Sequence, residues 1–310
     1  MARQTPLTCS GHTRPVVDLS FSDNTKDGYF MISACKDGNP MLRQGETGDW
    51  VGTFIGHKGA VWAASLNKAC SRAATGSADF NAKIWCALSG NVLHSFQHDH
   101  IVRAVDFSHD GNRLLTGCQE KKVRIFDLQS EGSKPKVYQG HNGTVKRCLW
   151  LDQNIFLTIS DDKSFKKWDT RAGEEPVQSV QLEKSATDLV LHEKTQVATM
   201  SYSNMVSFWN PHEMTMIKEF STKTQVNSAH LHPNSEHFVF GGADFKIYKC
   251  DYKTGSVEDS YKGHFGPVHI VRFSPDGELY ASGSEDGTIR LWQNNVGTNY
   301  GLWRCVNTGD

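Results

Sequence analysis

Apolar residues in this chain come in short stretches that alternate with polar ones, the period of a β-strand rather than of a helix. Examples are AVWAASL after Gly56-His57 and PVHIVRF after Gly263-His264. About thirty residues beyond each Gly-His pair stands a second segment, an aspartate in a tight turn and then an alternating run ending in an aromatic, as in SADFNAKIW, SDDKSFKKW and SEDGTIRLW. The pairs are Gly11-His12, Gly56-His57, Gly140-His141 and Gly263-His264; the aspartates are Asp79, Asp162 and Asp286; the runs end at Trp85, Trp168 and Trp292.

The same ruler finds weaker versions ending at Arg43, Phe126, Trp209 and Cys250, so seven positions follow one another at 42, 41, 42, 41, 41 and 42 residues. A period of about 40–45 residues with four strands per unit is that of the WD repeat. One such sheet exposes both faces and cannot stand alone, so neighbouring sheets must pack face to face around an axis. The expected fold is all-β, a seven-bladed WD-repeat β-propeller over residues 1–310, with blades ending near 43, 85, 126, 168, 209, 250 and 292 and a C-terminal extension over 293–310.

Ring closure falls to the N-terminus. TPLTCSGH aligns with the outer strand WVGTF that precedes Gly56-His57, so residues 3–9 should lie beside the strand ending at Trp292 and remove an exposed sheet edge. Tyr300 to Val306, YGLWRCV, has strand composition too and competes for that place; the N-terminal strand is expected to win it.

A His, a Ser or Thr, an Asp and a Trp recur at constant offsets: His57, Thr75, Asp79 and Trp85, then His141, Thr158, Asp162 and Trp168, then His264, Ser282, Asp286 and Trp292. The residue types suit a hydrolase, but a chain has no use for three copies of a nucleophile. Folded into a blade, they can form a buried hydrogen-bond relay that ties a loop to a strand. The pattern is incomplete in blade one (His12, Ser33, Asp37, but Arg43) and blade three (His98, Thr116, Glu120, Phe126), and blades five and six have Leu182 and Thr222 in place of the histidine. Those last two are expected to be the least self-stabilised.

Composition narrows function more than fold. Thirty-three basic against thirty-four acidic residues give a net charge of −1, so no overall field draws the chain to nucleic acid or anionic lipid. Without a basic stripe interleaved with aromatics, contact with RNA is expected only through partners. No run of about 18 apolar residues exists, so no membrane insertion is expected, and MARQTPLTCSGH lacks a secretory stretch, which points to cytoplasm and nucleus. Eight cysteines without a CxxC pair read as reduced, mostly buried thiols. Two HxH pairs, His98/His100 and His230/His232, could each present two imidazoles on a strand face, but no third ligand is apparent; neither metal nor other cofactor is expected.

The face on which propellers meet partners should carry the residue just past the first apolar position after each Gly-His. That position holds Val17, Trp62, Arg103, Lys146, Thr187, Asn227 and His269, with Arg14 and Lys36 nearby. Trp62, Arg103, Lys146 and His269, together with Arg14 and Lys36, are candidates for partner binding, since aromatic and cationic side chains dominate interface hot spots; the bland alternative is that Trp62 fills the ring's centre and the charges are solvated. An enzyme would need a titratable pocket on the axis, and none is expected, because the acids and histidines counted so far are used between strands.

Beyond the generic repeat, the stretches RQTPLTCSGHTRPVVDLSFS, ISACKDGNPMLRQGETGDWVGTFIGHKGAVWAA and SYKGHFGPVHIVRFSPDGELYASGSEDGTIRLWQ, with YGLWRCV after it, resemble the serine-threonine kinase receptor-associated protein family. The resemblance spans nearly the whole chain and is weakest between about 130 and 235. It implies a scaffold rather than an enzyme. It implies association with SMN and Gemin proteins in assembly of spliceosomal small nuclear ribonucleoproteins, and binding to the TGF-β receptor and an inhibitory Smad. The alternative is subunit i of eukaryotic translation initiation factor three, which shares the GHFGP and EDG features; ACKDGNPMLRQGETGDW favours the first reading.

Overall fold

The computed structural model describes residues 4–130 and 132–297. These form twenty-eight strands in seven four-stranded sheets, and no helix occurs among the described residues. Blades one to six run inward to outward in chain order; blade two, for example, is Val61–Leu66, Arg72–Ser77, Asn81–Cys86 and Val92–Gln97. The other innermost strands are Val16–Phe21, Val102–Phe107, Val145–Trp150, Asp188–His192, Val226–Leu231 and Val268–Phe273. The chain is a seven-bladed β-propeller.

Blade seven is completed by Leu7–Cys9, which pairs antiparallel with Ile289–Gln293 in the register Leu7↔Leu291, Thr8↔Arg290 and Cys9↔Ile289. The N-terminal strand takes the closing place, as its alignment with WVGTF predicts. The competing segment Tyr300 to Val306 lies outside the described residues.

Packing between blades holds the ring. Each sheet presents alternate apolar side chains to its neighbour, so every blade interface has its own buried cluster. Between blades two and three it is Ala63, Ala74 and Ile84 against Val102, Phe107 and Leu114. Between seven and one, where the ring closes, it is Ile270, Ala281, Ile289 and Leu291 against Cys9, Val16, Leu19 and Met31. Each large apolar side chain so buried contributes about 1.5–3 kcal/mol. The close approach of blades requires small residues on the second strand: a Cβ on Gly76 would stand 2.8 Å from Val102 Cγ1, and one on Gly283 would stand 2.7 Å from Val16 Cγ1.

Six of the seven innermost strands carry a register shift one residue in, between Val16/Asp18, Val61/Ala63, Val102/Ala104, Val145/Arg147, Val226/Ser228 and Val268/Ile270. Such a bulge leaves one residue unpaired and re-aims its side chain. The unpaired residues are Val17, Trp62, Arg103, Lys146, Asn227 and His269, so backbone irregularity directs the rim residues picked out by the sequence.

Candidate partner-docking rim

Within the blades, the recurrent side chains form relays. In blade two the indole Nε1–H of Trp85 donates to Thr75 Oγ1 at 2.8 Å, Thr75 Oγ1 meets His57 Nε2 at 2.7 Å, and His57 Nδ1 meets Asp79 Oδ2 at 2.8 Å. Blade four repeats this with Trp168, Thr158, His141 and Asp162 at 2.8, 2.7 and 2.9 Å. Blade seven does so with Trp292, Ser282, His264 and Asp286 at 2.8, 2.7 and 3.0 Å. The carboxylate can only accept, so the proton sits on Nδ1; with burial lowering the pKa of all three histidines the imidazole is neutral and its Nε2 accepts from the hydroxyl. Thr75, Thr158 and Ser282 are 0% exposed, so no substrate can reach these hydroxyls. The carboxylate also accepts the N–H that follows the histidine, as Asp79 does from Lys58 at 2.9 Å, pinning loop to turn.

The incomplete blades substitute other chemistry. In blade one His12 still meets Asp37 and Ser33 at 2.9 and 2.7 Å, but the indole's place is taken by Arg43, whose guanidinium donates to the carbonyls of Gly48 and Ser10. In blade three His98 Nδ1–H donates to the Phe96 carbonyl rather than to a carboxylate. Glu120, the aligned acid, is drawn off by Arg124, and Phe126 stacks on Phe96 at 4.2 Å. Blade five buries Leu182 in an apolar cluster and bonds Trp209 to Ser207 at 2.8 Å; blade six joins Tyr248 to Asp244 at 2.5 Å.

The HxH reading needs correction. His98 and His100 lie in the loop between Val92–Gln97 and Val102–Phe107, and His230 accepts the Phe273 N–H while His232 contacts the Gly277 carbonyl. Among the described residues the compact His/Cys/Asp group is instead His12, Cys35 and Asp37. Its atoms are committed to the blade-one relay, and the Cys35 thiol donates to the Arg14 carbonyl at 3.0 Å, with burial pushing its pKa up to about 12.

The expectation of an axis without titratable groups is overturned. Innermost strands are sheet edges with free backbone N–H groups, and side chains of one blade cover those of the next. Asp18 Oδ2 accepts from Ala64 N, Asp106 Oδ2 from Trp150 N, Ser228 Oγ from Val271 N and His230 Nδ1 from Phe273 N. Ion pairs then cross the bore: Arg147 meets Asp18 at 2.8 Å and Asp188 at 2.9 Å, and Arg272 grips Asp188 with two bonds of 2.7 and 2.9 Å. A cavity of about 660 Å³ lies along this wall. Burial raises Asp106 to about 7, whereas the two guanidinium groups overcome burial at Asp188 and hold its carboxyl well below the usual range. Counting only the residue one past the apolar position missed these groups, which stand two or four past it.

At the mouth where the Gly-His loops gather, the rim candidates form a connected surface. The Arg103 guanidinium lies 3.8 Å from the centre of the Trp62 ring, and Lys36 Nζ stands 5.4 Å from the same ring. Lys36 reaches Glu285 at 3.9 Å, and Glu285 also holds His269 at 2.6 Å. Lys146 pairs with Asp161 at 2.7 Å. Arg14 is exposed, and its backbone carbonyl rather than its guanidinium makes the contact to Cys35. Trp62 therefore does not simply fill the bore; it is the plate on which two cations rest.

The profile of the WD domain, G-beta repeat family matches residues 48–86, 90–127 and 255–293. The serine-threonine kinase receptor-associated protein of Gallus gallus is 54% identical over 304 residues, 98% of this chain and 87% of the relative. The chain belongs to the serine-threonine kinase receptor-associated protein family. Its likeness to the Dictyostelium discoideum member is 44% over 290 residues, 93% of this chain and 98% of the relative. Eukaryotic translation initiation factor 3 subunit I of Nematostella vectensis is more distant, at 27% over 309 residues, 92% of this chain and 95% of the relative.

In this serine-threonine kinase receptor-associated protein family chain, the three profile matches end in blades two, three and seven. Blade three matches although its relay lacks both carboxylate and indole, whereas the full relay of blade four lies outside the matched stretches. A complete relay is therefore neither required nor sufficient for a match to the repeat profile.

Proposed function

We propose that the chain is a protein-interaction scaffold that joins SMN and Gemin proteins in assembling spliceosomal small nuclear ribonucleoproteins, the role of the family member called unrip. By the same family likeness it damps TGF-β receptor signalling together with an inhibitory Smad. It works in cytoplasm and nucleus, and reaches RNA only through its partners. The observation that carries this reading is the 54% identity over 98% of the chain to proteins named for a serine-threonine kinase receptor. The geometry supports it: relay hydroxyls are sealed inside blades, while an aromatic and several cations sit on a bulge-directed rim.

Affinity purification from cells of the source organism followed by mass spectrometry tests it. SMN and Gemin proteins, with receptor kinases and Smads under TGF-β, are the expected partners; recovery of initiation-factor subunits in their place would move the chain to the translational reading. Reversing charge at Arg103 and Lys146 should weaken capture while melting stays within a few degrees, since the Lys146–Asp161 pair is partly exposed and worth about 1 kcal/mol or less.

A further inference from the structure

One cation on the rim is held by no ion pair or hydrogen bond among the described residues. Lys146 has Asp161, and Lys36 and His269 share Glu285, but among the described residues no carboxylate or carbonyl accepts from Arg103. Its guanidinium is half-buried on the Trp62 ring, near Arg147, which repels it from within the bore. Burial first and Arg147 second lower its pKa, and the field of Asp161 offsets only part of this, so the free protein holds the charge at a cost. A second donor in the same place is unmet: the Trp62 indole Nε1–H is buried without an acceptor among the described residues.

We propose that Arg103 on its Trp62 plate is the receptor for one aspartate or glutamate carboxylate carried by a segment of a partner protein laid across the mouth of the bore. This rests on the scaffold reading and names the chemistry of its contact. A planar guanidinium fork offers two parallel N–H donors to a carboxylate, and the aromatic face behind it limits where the fork can point. Lys36, on the same ring, adds positive charge from the side. The charge count favours a carboxylate over a phosphate. One unpaired cation matches one negative charge, while a phosphate brings up to two, and so nearly twice the repulsion from the Asp161 and Glu285 carboxylates that already hold Lys146, Lys36 and His269.

The test uses the full chain with 15N-labelled tryptophan, following the Trp62 Nε1–H resonance, assigned by its loss in Trp62→Phe. The probe is a blocked Gly/Ser decapeptide bearing one glutamate, with glutamine and phosphoserine versions alongside. The glutamate peptide should shift the resonance saturably and the glutamine peptide should not. Arg103→Gln should weaken the glutamate peptide at least about tenfold, and Arg103→Lys less. Because Arg103→Gln removes repulsion with Arg147 as well as the contact with Trp62, its melting temperature should stay within a few degrees of the parent's, which separates lost binding from lost folding. No shift with glutamate, equal shifts with glutamine, or a phosphoserine peptide binding more than about tenfold tighter would overturn the proposal. Partner capture read in parallel keeps the two readings apart. If SMN and Gemin proteins are captured equally by parent and Arg103→Gln, the carboxylate receptor fails and the scaffold reading stands; if the peptide behaves as expected while initiation-factor subunits are captured, the reverse holds.

Discussion

In blade two, His57, Thr75, Asp79 and Trp85 satisfy one another within a single repeat, whereas Asp188 on the bore meets Arg272, 84 residues away in the chain. Both are buried polar networks, but a relay ties one loop to its own sheet and the axial ions tie blades one, four, five and seven to each other. The relay is neutral apart from its carboxylate, and losing a member leaves hydrogen bonds unmet. The axis is built of full charges, and losing a member strands an ion. Burial of an unpaired charge is the costlier error, so the two regions should respond to mutation on different scales.

The largest effect is expected at the axis. Asp188→Ala leaves Arg272 without its two-bonded partner and Arg147 with Asp18 alone, and should cost about 3–5 kcal/mol in urea unfolding. Joint replacement by Asp188→Leu and Arg272→Met should recover most of that loss, since neither ion is then stranded. A loss under about 1 kcal/mol for Asp188→Ala would mean that water reaches these groups freely, and the contrast between regions would collapse.

A relay should respond less. Thr158→Val leaves Trp168 Nε1–H and His141 Nε2 facing a methyl group and should cost about 1–3 kcal/mol. Thr158→Ser keeps the hydroxyl, as Ser282 does in blade seven, and should cost under about 1 kcal/mol. Equal losses for Val and Ser would show that packing, not hydrogen bonding, is what the position supplies.

The contrast also explains what could be read from sequence. Relay members recur at offsets fixed by one repeat, so His57, Asp79 and Trp85 announce themselves, and the seven-sheet ring and N-terminal closure follow from the same period. The axis has no such redundancy. Residue type varies among the blades at equivalent inner positions, Asp18, Arg147, Asp188 and Ser228 at one and Asp106, His230 and Arg272 at the other, so periodicity carries no signal of their pairing. Polar residues inside otherwise apolar inner strands were the available clue. Glu120, in the blade where the sequence pattern is incomplete, stays out of the relay for a related reason: its offset fits, but Arg124 lies four residues on and offers a stronger, charge-assisted bond than a neutral imidazole.

pH separates the regions further. Asp106, raised to about 7 by burial, binds a proton in the folded chain that the unfolded chain releases near 4, so it lowers stability progressively as pH rises from 4 to 7. Asp106→Asn should therefore stabilise by on the order of 1–2 kcal/mol at pH 8 and by almost nothing at pH 4, with the amide oxygen still accepting from Trp150 N. Relay groups have the opposite sign. Burial lowers His98 to about 4, while hydrogen bonds from Ser164, Asn142 and His141 outweigh burial at Asp162 and bring it to about 2. Their stabilisation is complete above the unfolded values of about 6.5 and 4, and is lost as pH falls through those values toward the folded ones. Melting curves from pH 3 to 9 should show Asp106→Asn drawing away from the parent between pH 4 and 7 and staying apart above that; a uniform offset would mean that the carboxyl pKa is not raised in the folded chain.

The smallest effect is expected where an ion pair spans the ring but remains wet. Lys68 Nζ reaches Glu193 Oε2 at 3.0 Å between loops of blades two and five, with His109 at 4.0 Å on the other oxygen. By reach across the ring it resembles the Arg147–Asp18 bridge, but its side chains are 42% and 54% exposed against 15% and 7%. If burial sets the scale, Lys68→Ala should cost less than about 1 kcal/mol, and the difference should shrink further at 0.5 M salt. If reach across the bore sets it, Lys68→Ala should approach the loss at Asp188. Unfolding the two variants side by side at low and high salt decides between these, because a buried bridge is screened little while an exposed one is screened almost completely.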